Sequence, residues 1–473
     1  MKCIVTFLLL FSISARAQQK WTLPQLVQYA MDNNLTIRQT TLQEKFSEFA
    51  LKQSKLSQYP NANFSEGISY SSGRNQDPTT FSLITQSYLS SNMNLQSSVE
   101  IFNWFSKKNT IAANEWEIQA AKANTDILKN NIALTIANLY LQALLGQEQV
   151  SIAAVQLGQT KAQLSNTRKL VNAGSLPELN AAELEAQVAR DSATVISAKG
   201  AFSQTLLSIK AYLNIDAAQP FEIDTPPADK IPLLPMADLQ PEVVFAAALA
   251  NLPQQKYDGY KLKAAEKTAT AAKASMYPTF SASAGFGSSF NSRTKEIIAN
   301  NPVLSPFGTV KVGGTDYNVF PFQPFNNYQY GKTSFFNQLN QNFRQSIGLT
   351  LSVPIFNSGS ARINWERSKL TLKNLSLQKD IDNQKTKQDI YQAYNSVIIA
   401  LEKFNAGKKS VESAERSYNF AQKRYDVGLL STLELITNQN NLLTQKLQYV
   451  LNRFDYVFKM KLLEFYRGQG LKL

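Results

Sequence analysis

Towards the C-terminal third of the chain, Ile347, Leu349, Leu351, Val353 and Ile355 alternate with Gly348, Thr350, Ser352 and Pro354. A period of two is the mark of a strand whose two faces meet different surroundings. The same alternation sets Phe280, Ala282, Ala284 and Phe286 against Ser281, Ser283, Gly285 and Gly287. It sets Met93, Leu95, Val99 and Ile101 against Asn94, Gln96, Ser98 and Glu100. It also sets Ala62, Phe64, Ile68 and Tyr70 against Asn61, Asn63, Ser65, Gly67 and Ser69, with Glu66 as the one charge on an apolar face. Four strands are predicted, over about 61–70, 93–102, 280–287 and 347–355, with polar loops near Ser71 to Asn92 and Ser288 to Arg344.

The rest of the chain is mainly α-helical in pattern. A helix is predicted from Leu23 to about Tyr59, closed by Pro60. From about Lys107 to Leu170, Ala120, Ile127, Leu134 and Leu141 recur every seven residues beside a stripe containing Ile118, Ile132 and Leu139. Two offset seams call for helix neighbours on both sides, and about 60 residues at about 1.5 Å each make a rod of roughly 90 Å. Gly174 reads as a left-handed C-cap, and Ser175-Leu176-Pro177-Glu178 as a capping box opening a return helix to about Tyr212. Proline-rich sequence follows from Asn214 to Pro241, and then a mostly helical stretch from Met236 to Ala274. A second rod runs from Ala361 to about Asp426. Val427-Gly428 ends it, and Ser431-Thr432-Leu433-Glu434 caps the last helix.

The chain is written twice. SVEIFN at Ser98 to Asn103 returns as SVPIFNSG at Ser352 to Gly359, a step of 356 − 102 = 254 that also carries Gly174 onto Gly428 and Tyr140 onto Tyr394. Phe102, Asn103, Pro354, Phe356, Asn357 and Gly359 therefore mark two equivalent strand-to-helix junctions. Tyr59-Pro60 returns at Tyr277-Pro278 with a step of 218, so the second inter-strand loop is 254 − 218 = 36 residues longer than the first. The expected organisation is a signal peptide at 1–17, a first repeat at 18–213, a linker at 214–241, and a second repeat at 242–473 containing the long loop 288–344. That loop suits a binding role or a plug over a barrel mouth.

Composition narrows the function. Lys2, the apolar run Ile4 to Ile13 and Ala15-Arg16-Ala17 read as an export signal cleaved before Gln18, and the lack of a cysteine there predicts no lipid anchor. The only cysteine is Cys3, and the 473 residues contain no histidine, so thiol, metal and triad chemistry lack their usual groups. No cofactor and no catalysis are expected: Glu183 with Glu185, and Asp380 with Asp382, stand two apart on helices and point different ways. The net charge of +13 becomes 13 − 2 = +11 without Lys2 and Arg16, and the basic residues are scattered along amphipathic patterns, which argues against a nucleic-acid partner. No stretch after the signal reaches the roughly 20 apolar residues of a membrane helix, so any crossing must be a closed β-barrel. Four strands are too few to close one, and the chain must oligomerise.

The doubled plan, SVPIFNSG, and RYDVGLLSTLEL at Arg424 to Leu435 resemble the TolC family of outer-membrane efflux proteins over essentially the whole mature chain. The resemblance implies a homotrimer with a twelve-stranded barrel in outer-membrane lipid and a barrel of long helical hairpins crossing the periplasm of a Gram-negative bacterium. It further implies a passive exit duct that docks on a periplasmic adaptor and, through it, on an inner-membrane transporter. Carried over residue by residue, the adaptor-docking tips are Val171, Gly174, Ser175 and Leu176, with Val427, Gly428, Leu429 and Leu430. Tyr425 and Glu434 match positions that constrict the entrance, and Asn180 and Thr437 stand where related channels often carry acids. Glu434 is equally explained as a capping carboxylate. The alternatives are a type I protein-secretion duct and a coiled-coil surface or adhesive protein.

Overall fold

The computed structural model describes residues 20–77, 81–226 and 231–468, so the expected signal peptide at 1–17 and Cys3 lie outside the described residues. The chain divides into a helical unit, made of residues up to 50, 114–265 and from 370 onward, and a strand unit of 51–113 and 266–369.

The helical unit is built from two copies of one plan. Helices α1 (Leu23–Asn33) and α2 (Leu35–Leu56) replace the single helix expected from Leu23 to Tyr59. The break falls at Asn34, whose side-chain oxygen accepts from the Thr36 and Ile37 amides while its amide donates to the Tyr212 carbonyl. Asparagine competes with the helix for its own backbone, which ends α1 there. Long helix α3 (Ser106–Asn172) and return helix α4 (Glu178–Leu213) complete the first copy. The second copy has α5 (Pro241–Asn251) and α6 (Pro253–Ala274), broken at Leu252 by the proline that follows.

Ile136, Ala143 and Leu144 of α3, Leu23 and Leu26 of α1, and Ile209 and Leu213 of α4 pack into one core. The proline-rich stretch is not a free linker. Phe221, Ile223 and Ile231 are buried in that core, and Trp21 forms an isolated bridge with Ile223. After a short 3-10 turn at Met236–Leu239, Leu239, Val244 and Ala248 pack with Ile390, Val397, Met460 and Leu463 into the matching second core.

The strand unit contains a four-stranded antiparallel sheet in the order β1-β2-β3-β8, where β1 is Asn61–Gln76, β2 Leu83–Phe102, β3 Thr279–Asn291 and β8 Arg344–Ser352. The first two strands are longer than the alternation predicts, and the expected loop over Ser71 to Asn92 is mostly ladder. Serine pairs sustain it where apolar pairs do not: Ser69 Oγ lies 2.8 Å from Ser90 Oγ, and Ser87 Oγ donates to Ser72 Oγ at 2.8 Å. Conversely, β8 ends at Ser352, short of the predicted Ile355, because Pro354 has no N–H to continue a ladder. The long loop is itself structured. It holds ribbon β4 (Lys295–Asn300) with β7 (Tyr328–Lys332), hairpin β5 (Gly308–Val312) with β6 (Thr315–Val319), and helix α7 (Phe335–Gln341) against β3. The remaining helices are α8 (Ser360–Asp426) and α9 (Thr432–Tyr466).

Candidate functional site

Two turns close the helical hairpins, and they are the same turn. The Gly174 amide donates to the Val171 carbonyl and the Ser175 amide to the Leu170 carbonyl, each at 2.9 Å. One repeat later, the Gly428 amide donates to the Tyr425 carbonyl at 2.9 Å and the Leu429 amide to the Arg424 carbonyl at 2.8 Å. Both are Schellman closures requiring a left-handed residue, and the glycines supply φ of 72° and 78°. Val171, Leu176 and Leu430 are half-buried, while Gly174, Ser175, Val427, Gly428 and Leu429 are exposed. Each tip thus presents a preset backbone turn, and the second adds a small apolar surface.

The helices leaving the tips begin differently. Ser431 caps α9 in a reciprocal box, accepting from the Glu434 amide while the Glu434 carboxylate accepts from the Ser431 amide and hydroxyl. Those hydrogen bonds, more than the nearby Arg424, hold the Glu434 carboxyl below the usual range. The predicted box at Ser175-Leu176-Pro177-Glu178 does not form. The residue before α4 is Pro177, which has no capping oxygen, and Glu178 instead accepts from Arg168, which also pairs with Glu185.

Tyr425 and Glu434 lie at the second tip but do different work. The Tyr425 hydroxyl is 3.1 Å from Thr167 Oγ1 and 3.4 Å from Thr432 Oγ1, linking α8 to α3 and α9. Thr437 donates to the Leu433 carbonyl, and the Asn180 backbone amide closes onto the Pro177 carbonyl.

Thr167 was not legible as a partner, yet a signal existed. The α3 stripe through Ile118, Ile132 and Leu139 continues in steps of seven through Gly146 and Ala153 to Thr160 and Thr167, all buried but the half-buried Leu139. Towards the tip the seam turns polar. Thr160 Oγ1 donates to Asp191 Oδ2 at 2.5 Å and accepts from Gln439 at 3.0 Å, and Gln187 joins Asp191 to Asn440. A hydrogen-bonded polar layer of this kind fixes helix register where an apolar one slides.

At the strand-to-helix junctions the Ser106 amide donates to the Asn103 carbonyl, and in the repeat the Ser360 amide donates to the Asn357 carbonyl. Each junction holds two successive residues at positive φ: Trp104 and Phe105 at 50° and 61°, Ser358 and Gly359 at 56° and 75°. The aromatic pair is held there by Phe102, whose ring lies 5.4 Å from Trp104 and 5.8 Å from Phe105. Phe356 and Pro354 are exposed beyond the end of β8.

The sheet register sorts the strand residues by face. Phe64 pairs with Leu95 and Leu95 with Phe286, while Ala284 pairs with Ile347 and Ala282 with Leu349, all on one face. Asn63 with Gln96, Gln96 with Gly285 and Gly285 with Ser346 lie on the other. Glu66, the break in the apolar pattern, accepts from Ser91 at 3.3 Å. Among the described residues, β1 and β8 each have a partner on one side only. Among the described residues no cluster of acids is placed to hold a metal ion, and no helix is long and apolar enough to cross a membrane.

A family model described as outer membrane efflux protein matches residues 26–214 and 245–460. Among curated relatives, the outer membrane efflux protein BepC of Brucella suis is 21% identical over 82% of this chain and 73% of its own length. The toluene efflux pump outer membrane protein TtgC of Pseudomonas putida is 27% identical over 48% of this chain and 37% of its own. The fold matches the solved structure of CusC with a TM-score of 0.74 at 16% identity, covering 95% of this chain and 92% of that one. It matches the Neisseria gonorrhoeae MtrE outer membrane channel with a TM-score of 0.70 at 17% identity, covering 95% and 89%.

Proposed function

The chain belongs to the outer membrane efflux protein family, and on that premise we propose that it is the outer-membrane exit duct of a tripartite efflux pump. The observation that carries the reading is the two-faced sheet. One face is apolar and suits lipid, the other is serine, asparagine and glycine and suits water, and both edges are open. Open edges on a membrane sheet must be paired, since lipid offers no hydrogen bonds. Three copies supply twelve strands and close a ring through β1 of one copy and β8 of the next. The first and second repeats, 18–213 and 242–473, then contribute equivalent hairpins to a helical conduit, with 214–241 strapped between them.

The tips around Gly174 and Gly428 are the docking ends for a periplasmic adaptor, through which an inner-membrane transporter delivers cargo. Tyr425, Glu434 and Thr437 at the second tip, with Asn180 at the first, form the entrance. Transport is passive, and the chain performs no catalysis. The test is single-channel conductance of the detergent-extracted oligomer in planar bilayers, with its mass measured on the same sample. A trimer of small conductance that rises on substituting Tyr425 and Glu434 supports a duct closed at the tip. A monomer, or an oligomer that stays silent with the tip substituted, overturns it.

A further inference from the structure

The two repeat steps hold in three dimensions to the residue. A step of 218 carries α2 (Leu35–Leu56) onto α6 (Pro253–Ala274) and the start of β1 onto the start of β3, and a step of 254 carries α3 (Ser106–Asn172) onto α8 (Ser360–Asp426). Strand pairing obeys both steps. Asn61 pairs with Ser98 and Phe64 with Leu95 in the first repeat, and their counterparts pair in the second, Thr279 with Ser352 and Ala282 with Leu349.

The repeats also meet each other within the chain. Leu95 of β2 pairs with Phe286 of β3, and Asn92 with Ser289. Trp116 of α3 stacks on Tyr260 of α6 with ring centroids 5.7 Å apart, and Ser106 Oγ donates to the Ala271 carbonyl at 3.3 Å. The counterparts of these joined surfaces are bare. Leu370 and Leu42, which stand where the second joint would place Trp116 and Tyr260, are 69% and 55% exposed. Seven residues along each helix, Leu377 and Leu35 are 49% and 60% exposed. On the open edges, Leu349 and Ile68, the counterparts of Leu95 and Phe286, are likewise exposed.

We infer that β8 and α8 of one copy pack on β1 and α2 of the next in the register that β2 and α3 use on β3 and α6. Leu349 then lies opposite Ile68, Ser346 opposite Ser71, Leu370 against Leu42 and Leu377 against Leu35, with the Ser360 hydroxyl on the Gln53 carbonyl. This rests on the ring proposed above and supplies its register. A second copy is the occupant because the two bare surfaces are the two halves of a joint that the chain already makes once. The heptad spacing agrees, since Leu35 with Leu42 and Leu370 with Leu377 form two equally spaced apolar rows for antiparallel helices. A lipid surface covers the leucines and leaves both strand edges without hydrogen bonds. One difference separates the joints. Glu117 and Lys261 form an ion pair at 2.9 Å in the internal one, and their counterparts at the seam are the neutral Thr371 and Gln43. Apolar contact therefore carries the seam at that level.

Cys3 is the only cysteine, so in a Cys3→Ser background introduced cysteines report alone. Full-length protein in outer-membrane vesicles is oxidised with copper-phenanthroline, and the mass of the detergent-extracted oligomer is measured on the same sample. The strand seam is read by Ser346→Cys with Ser71→Cys, and the helix seam by Leu370→Cys with Leu42→Cys. Directly opposed Cβ atoms stand about 4.5–5.5 Å apart, and those slipped by two residues about 7–8 Å. The controls are therefore Ser346→Cys with Ser69→Cys, and Leu377→Cys with Leu42→Cys, a heptad or about 10 Å out of register. Covalent dimers and trimers from the first two pairs, with monomers from the controls and from each single cysteine, support the inference. Ladders from a control in place of its in-register pair overturn the register and leave the ring standing. So does a strand ladder without a helix ladder, or a trimer with no ladder at all. A monomer overturns the ring and the register together. As a second readout, Leu42→Asp lowers the temperature at which the trimer dissociates, and adding Leu370→Lys restores it; a double variant no more stable than Leu42→Asp alone overturns the helix pairing.

Discussion

The hydroxyl of Tyr425 stands 3.1 Å from Thr167 Oγ1, a bond between the end of α8 and the buried seam of α3. One phenol therefore ties the second helical hairpin to the first at the level of the tips. Removing it with Tyr425→Phe keeps the ring and loses about 0.5–1.5 kcal/mol of linkage. The expected result is a higher single-channel conductance, with Thr167→Val acting in the same direction. The double variant exceeds neither single change by much, because both remove one bond.

Gly174 and Gly428 adopt positive φ with nothing near the position a Cβ would take. Substitution to alanine therefore strains the backbone without a clash, at about 1 kcal/mol per tip. Gly428→Ala and Gly174→Ala are each expected to weaken capture by an adaptor, and Gly428→Asn less so, since asparagine tolerates this conformation. Adaptor pull-down from cross-linked cells measures the order.

Tyr140 is buried in the first helical core, and its hydroxyl donates to the Asp224 carbonyl at 2.7 Å. Burial, with Asp224 adding to it, pushes the phenol up to about 12. Folding favours the protonated phenol, so its contribution is full below the ordinary tyrosine range and is lost as pH rises through about 12. Tyr140→Phe is expected to cost about 1–2 kcal/mol at neutral pH and to flatten the alkaline limb of stability, read by thermal unfolding against pH.

Asp258 is 7% exposed, and while its Oδ1 accepts from Gln254, its Oδ2 has no partner. Burial first, and Asp382 second, raise its carboxyl above the ordinary range. The folded chain binds this proton more tightly than the unfolded one, so stability falls as pH rises through the carboxylate range. Asp258→Asn is expected to stabilise the chain by about 1 kcal/mol at neutral pH. Below about pH 3 the gain disappears, because both states are then protonated. Melting temperatures at the two pH values test this, and equal gains at both contradict it.

Much of the fold was legible because it rests on period. Heptad spacing foretold α3 to within a turn, the second rod likewise matches α8, and the doubled motif foretold that Gly174 and Gly428 close equivalent turns. Where local chemistry competes with period, the reading failed. Asn34 interrupts a helical pattern through its own side chain, and Pro177 empties a capping box that sequence spacing alone allowed. Serine-rich ladder between Ser71 and Asn92 looked like loop, since hydroxyl pairs leave no hydrophobic trace.

Spacing along one chain was enough for the four main strands and their two faces, the long rods, their order and their duplication. Which polar residues meet is set by packing in three dimensions. Thr167 with Tyr425 is a contact across 258 residues, and Thr160 with Gln439 one across 279. Such pairs are chosen by how helices pack side by side, and a buried hydroxyl takes whichever partner that packing brings within reach.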